Sequence, residues 1–168
     1  MKQAIRIAAN IQAAREDSDA LEFKAALPLG ALLTKSLDKQ EVERARAELE
    51  DQYRVLVQTL RGMRPHLRDG NVLRYWMFGD AIVQFENQTA HTLVFVDKLS
   101  EHLARDVNYS KTMIDLCRRF RQKFADIARV DPTLSFDAYH RSGFDPKRAA
   151  AYAQSHNPKR TRERPRKN

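Results

Sequence analysis

Lys111, Arg118, Arg119, Arg121 and Lys123 fall within thirteen positions, and Lys159, Arg160, Arg162, Arg164, Arg166 and Lys167 fall within nine. Clusters of this type do one kind of chemistry. They neutralise phosphates and displace condensed counterions, and an Arg among them can bond guanine through two parallel N–H groups. From Lys111 to Asn168 there are fifteen of the chain's thirty Lys and Arg residues against six acidic ones, a net +9. Residues 1–66 carry +1 and residues 67–110 carry −2, so the total of +8 is strongly polarised. That pattern implies a polyanionic partner, with nucleic acid the leading candidate, DNA favoured and RNA possible. A basic tail alone could serve only solubility. The stronger sign is that the positive charge begins inside a helical pattern, well before the tail.

Residues for catalysis are scarcer. Glu22-Phe23-Lys24 is a bare E-x-K of the kind nucleases use to hold Mg²⁺, but that chemistry needs an Asp on an upstream strand, and no strand is expected here. His66, His91, His102, His140 and His156 are scattered, with no i, i+4 pairing among them or with the single Cys117, so no zinc site and no disulfide are expected. Cys117 reads as a core residue, and Tyr75 and Trp76 read as packing residues before base-stacking ones. No phosphate-binding glycine loop occurs. The expectation is a protein that is not an enzyme and uses neither cofactor nor metal.

The elements that would position these groups read as helices. With 168 residues, five Gly, six Pro and much Ala, Leu, Arg, Glu and Gln, the chain fits an all-α fold: a single helical domain over 1–156 and a disordered basic tail over 157–168. A single cysteine and the absence of a signal peptide or long apolar run predict a cytoplasmic protein with no membrane partner. Met1–Arg15, with Ile5, Ile7, Ala8, Ile11 and Ala14, predicts a first helix. Leu21–Leu33 is broken at Pro28 and Gly30 and reads as a short helix plus turn, or a packed loop. Asp38 three residues before Glu41 has the form of a capping box, and the apolar steps from Val42 to Met63 predict the longest helix over 38–63. Its charged face reads as a solvated surface with local ion pairs, or alternatively as a docking face for a protein partner.

Val72–Gln88 predicts another buried helix. Thr92–Leu103 and Lys111–Ala128, joined by a short link and with Ser110 as N-cap, have the outline of a helix-turn-helix over about 92–128. Lys111, Thr112, Asp115, Arg118 and Arg119 would face DNA, with Arg121 and Lys123 on the same cationic side. Asp131-Pro132 and Asp145-Pro146 each predict the start of a short helix.

The run Leu73-Arg74-Tyr75-Trp76-Met77-Phe78-Gly79-Asp80-Ala81-Ile82-Val83, followed by Leu99-Ser100-Glu101-His102-Leu103 and by Asn108-Tyr109-Ser110 before Met113, Cys117, Arg118, Arg119 and Phe120, resembles the helical N-terminal domain of YhcG-like nucleases. The match spans residues 70–125. Phe78 stands where that family usually has Ile, Tyr109 where it has Phe, and Gln88-Thr89-Ala90-His91 replaces a glycine-containing segment. The resemblance implies a winged-helix-like, DNA-binding module. The family's PD-(D/E)xK nuclease domain is not expected in a chain of this length.

Together these readings predict a non-enzymatic protein that binds double-stranded DNA through the 111–123 helix and the tail, with a link to mobile elements or defence by analogy. The rival is a helical subunit or adaptor of a larger ribonucleoprotein or other complex, bound through helix 38–63.

Overall fold

Ile7, Ala9 and Ile11 are buried while Asn10 and Gln12 face solvent, the two-residue alternation of a strand. They belong to β1, Ile7–Ala14, in place of the helix expected over Met1–Arg15. Over so short a run the apolar positions fit either period, and pairing with two other strands decides between them. β2, Glu22–Ala26, lies antiparallel to β1 with Ile11 opposite Ala25. β3, Val94–Val96, lies parallel to it on the other side with Ile7 opposite Val94. The sheet order is β2-β1-β3. The chain is therefore a predominantly helical α/β protein with a mixed sheet, and the all-α expectation is overturned.

The computed structural model describes residues 5–14, 21–28 and 37–156. Within Leu21–Leu33 the described part is β2, with Phe23 and Ala25 buried, where a helix or loop was expected. The basic tail over 157–168 lies outside the described residues, as do positions 29–36.

α1, Lys39–Met63, matches the predicted long helix closely. The Asp38 carboxylate accepts the Gln40 N–H at 2.9 Å, which satisfies one free donor of the first turn. Val42, Leu49, Tyr53, Leu56, Val57 and Leu60 are its buried residues. Its polar side holds local ion pairs, Arg46 to Glu50 at 3.0 Å and Arg54 to Asp51 at 2.6 Å. Glu50 also accepts the Ala25 N–H at 2.7 Å, and Arg54 donates to the Leu21 carbonyl at 3.1 Å. These two side chains occupy backbone groups along the outer edge of β2, which a sheet would otherwise leave open.

A 3₁₀ segment, Arg64–Asp69, ends at Gly70 with φ 70°, a left-handed turn that glycine adopts at low cost. Asn71 caps α2, Val72–Thr89. The single helix expected over Thr92–Leu103 is split: β3 comes first, then a left-handed Lys98 (φ 50°), then α3, Leu99–Asp106. α4, Lys111–Lys123, stops five residues short of Ala128, because Phe124 leaves the helical region at φ −111°, ψ 82°.

Asp131-Pro132 forms a turn and starts no helix. The Asp131 carboxylate accepts the Thr133 N–H and hydroxyl at 2.9 and 2.6 Å, a local closure that competes with helix entry. α5, Phe136–Arg141, begins instead at Ser135, whose hydroxyl accepts the Ala138 N–H. Asp145-Pro146 does open a helix, α6, Pro146–His156, with Asp145 accepting the Arg148 N–H at 3.0 Å. Phe120 and Phe124 pack with Phe136, Tyr139 and Phe144 to join α4 to this C-terminal part. Among the described residues no helix is long and apolar enough to cross a membrane.

Candidate nucleic-acid interface

α3 and α4 are joined by the four residues Val107–Ser110, with Asn108 in the left-handed region at φ 53°. Asn tolerates that conformation better than most residues. Ser110 occupies the N-cap position, extended at φ −64°, ψ 129°, and its side chain makes no capping bond.

The hairpin is fixed to the rest of the fold by guanidinium groups. Arg61 Nε donates to the Asp106 carbonyl at 2.7 Å and Arg64 Nη1 to the Val107 carbonyl at 3.0 Å, so α1 and the residue after it supply partners for carbonyls that end α3. The Asp106 side chain, 4% exposed, accepts the Tyr53 hydroxyl at 2.7 Å and two N–H groups of Arg105 at 2.6 and 2.9 Å. Arg105 Nη2 also donates to the Ile11 carbonyl at 2.9 Å, which ties β1 into the same network. Burial, together with the Asp106 carboxylate, raises the Tyr53 hydroxyl far above its ordinary pKa, so it stays a neutral donor.

α4 lies hard against α2. A Cβ at Gly79 would collide with the Cys117 carbonyl, so glycine is what lets the two backbones approach. The Cys117 thiol is fully buried and burial pushes its pKa up to about 12, the behaviour of a packing residue. Arg121 Nε donates to Asp80 at 2.6 Å while its guanidinium lies 4.6 Å from the centre of the Trp76 ring. Trp76 Nε1 in turn donates to the Phe124 carbonyl at 2.7 Å, and Tyr75 stacks on Phe136 with ring centres 4.2 Å apart. Arg118 bonds Glu86 at 2.9 Å and Asp115 at 3.2 Å, and Asp115 also accepts the Ser100 hydroxyl at 2.7 Å.

The structure thus sorts the predicted site residues. Arg118 and Arg121 are about a quarter exposed and paired with carboxylates, mostly of α2. Lys111 is exposed and 3.9 Å from Glu101. Arg119 and Lys123 are exposed and have no carboxylate partner among the described residues. Thr112, Arg119 and Lys123 are exposed along one outward stripe of α4, whereas Asp115, on its flank, is half-buried and turned to Ser100 and Arg118. Lys159, Arg160, Arg162, Arg164, Arg166 and Lys167 lie outside the described residues.

Several contributors were missed from sequence. Asp80 and Glu86 cancel two of the helix's cations from positions more than thirty residues away, and nothing local announces them. Arg61, Arg64 and Arg68 do follow steps of three and four, a basic stripe that periodicity could have shown. Glu22 and Lys24 prove to sit on a strand, contrary to expectation. Among the described residues no group of three His, Cys, Asp or Glu side chains is placed to hold a metal ion. In comparisons with known proteins, no family model, no curated protein and no solved structure matches the chain.

Proposed function

We propose that the chain is a non-enzymatic nucleic-acid-binding protein that lays the outer stripe of α4 on double-stranded DNA, in the manner of a helix-turn-helix. The observation that carries this reading is the sorting of charge on α4. Arg118 and Arg121 hold the helix in place, while Thr112, Arg119 and Lys123 point outward from a hairpin whose turn is fixed by Arg61 and Arg64. A rigid helix with outward Thr and Arg is suited to a major groove, where Arg bonds guanine and Lys meets phosphate. The six basic residues from Lys159 to Lys167 would add affinity that does not depend on base sequence.

The likeness of residues 70–125 to the helical domain of YhcG-like nucleases supports the same reading. Under this reading the protein is cytoplasmic, where it would meet its DNA. The rival, an adaptor bound through α1, has one observation in its favour: Val55 is 61% exposed on that helix's outer side.

Fluorescence anisotropy across a salt series tests the proposal, using duplex DNA, single-stranded DNA and RNA against the full chain, a version ending at Asn157 and an Arg119→Ala, Lys123→Ala double variant. The expected result is duplex binding that survives truncation and is lost in the double variant. Equal weak binding to every polyanion, or loss of all binding on truncation, would sink the α4 reading and move the function to the tail or to a protein partner.

A further inference from the structure

A cavity of about 420 Å³ opens between the 3₁₀ segment after α1, the first turn of α2 at Tyr75 and the turn before α4. Arg64, Arg68, Tyr75, Asn108, Tyr109 and Ser110 line it, and no carboxylate does. Arg64 uses Nη1 on the Val107 carbonyl, which fixes its guanidinium beside the turn with other N–H groups to spare. Arg68 is exposed and has no acidic partner among the described residues, since neighbouring Asp69 is taken by Arg74. The hydroxyls of Tyr109 and Ser110 and the Asn108 side chain make no hydrogen bond among the described residues. Burial pushes the Tyr109 hydroxyl up to about 12, so at neutral pH it remains a donor.

Two guanidiniums, two hydroxyls and an amide around a small concavity form a donor-rich, cationic basin without a built-in counter-charge. Planar guanidinium forks match the oxygens of a phosphate. The basin also adjoins the proposed DNA-facing stripe, because Ser110 on its rim directly precedes Lys111 and Thr112.

We infer that this cavity seats a backbone phosphodiester of the bound nucleic acid, with Arg68 and Arg64 as its cationic contacts and Tyr109 and Ser110 as neutral donors. The inference rests on the α4 docking reading and adds to it a fixed phosphate position that sets the register of the helix on the duplex. The site carries no base information, so its loss weakens all sequences alike.

The test uses the full chain with Arg68→Ala and Arg68→Lys, since Arg64 also supports the turn and its removal could disturb folding. In a salt series with duplex DNA, Arg68→Ala is expected to lower the slope of log affinity against log salt by about 0.9, the value for one lost phosphate contact, and Arg68→Lys to retain it. In parallel, the backbone amide signals of Tyr109 and Ser110 are followed by NMR during titration with a short duplex and with inorganic phosphate. Shifts on duplex addition that vanish in Arg68→Ala support the site. An unchanged slope in Arg68→Ala, while Arg119→Ala with Lys123→Ala still abolishes binding, would overturn the cavity and leave the docking reading intact. If the full chain ignores the duplex yet these amides respond to inorganic phosphate, the docking reading fails and the ligand is free phosphate, which overturns the phosphodiester assignment.

Discussion

The two pairs of cations on α4 have the same chemistry and opposite surroundings. Arg118 and Arg121 turn toward α2 and meet Glu86 and Asp80, whereas Arg119 and Lys123 turn outward and meet no carboxylate among the described residues. The difference shows that a cationic helix counted from sequence overstates the field it presents. Half of such charge can be spent inside the fold, holding a helix in position, and only the remainder acts on a distant polyanion.

That division can be broken at its base by closing the space that brings α4 to α2. Gly79→Val places a side chain against the Cys117 carbonyl and is expected to cost about 3 kcal/mol or to prevent folding, read by denaturant unfolding. Next in size, Arg121→Ala leaves Asp80 half-buried without its partner and is expected to lower stability by about 1 kcal/mol. Arg119→Ala with Lys123→Ala should leave the unfolding midpoint unchanged while duplex binding is lost in anisotropy. Equal stability loss in both sets would erase the distinction between inward and outward cations.

Alkaline pH tests the core beneath the pairs. Cys117 is raised from 9.0 to about 12 and Tyr109 from 10.0 to about 12, in both cases chiefly by burial. A group raised in the folded state contributes stability that is present below its ordinary pKa and lost as pH climbs. The unfolding midpoint should therefore fall between about pH 9 and 12, and thiol labelling of Cys117 should track unfolding. The smallest effect sharpens the comparison: Glu86→Gln releases one of the anchors on Arg118, and duplex affinity should rise a few-fold in anisotropy, a gain that disappears when Arg118→Ala is added.

α1 was legible because capping residue, apolar steps and length all agreed over twenty-five residues. β1 was not, because Ile7, Ala8 and Ile11 satisfy a helical spacing while Ile7, Ala9 and Ile11 satisfy a strand, and the partner that decides lies in Val94–Val96. The all-α expectation rests on composition, few Gly and Pro and much Ala, Leu, Arg, Glu and Gln, and composition does not register three short strands of eight, five and three residues. The candidate site was legible in its residues and not in their roles. Lys111, Arg118, Arg119, Arg121 and Lys123 stand out by charge, but which of them face outward depends on Asp80 and Glu86 across the interface with α2. Asp131-Pro132 and Asp145-Pro146 make the same point locally: two identical dipeptides, one closed by Thr133 into a turn and one opened into α6.

The register of the sheet places Ile7 beside Val94, eighty-seven positions later in the chain. β1 is the middle strand, so the sheet cannot be completed until α1, α2 and β3 have all been synthesised, and the β1–β2 hairpin must wait as a two-stranded ribbon, which is marginal on its own in water. Contacts this distant raise the entropic cost of reaching the folded state and slow its formation. During synthesis the helices that hold the hairpin can form early. The strand that joins the sheet to Arg105, β1, gains its second partner only once β3 has been made.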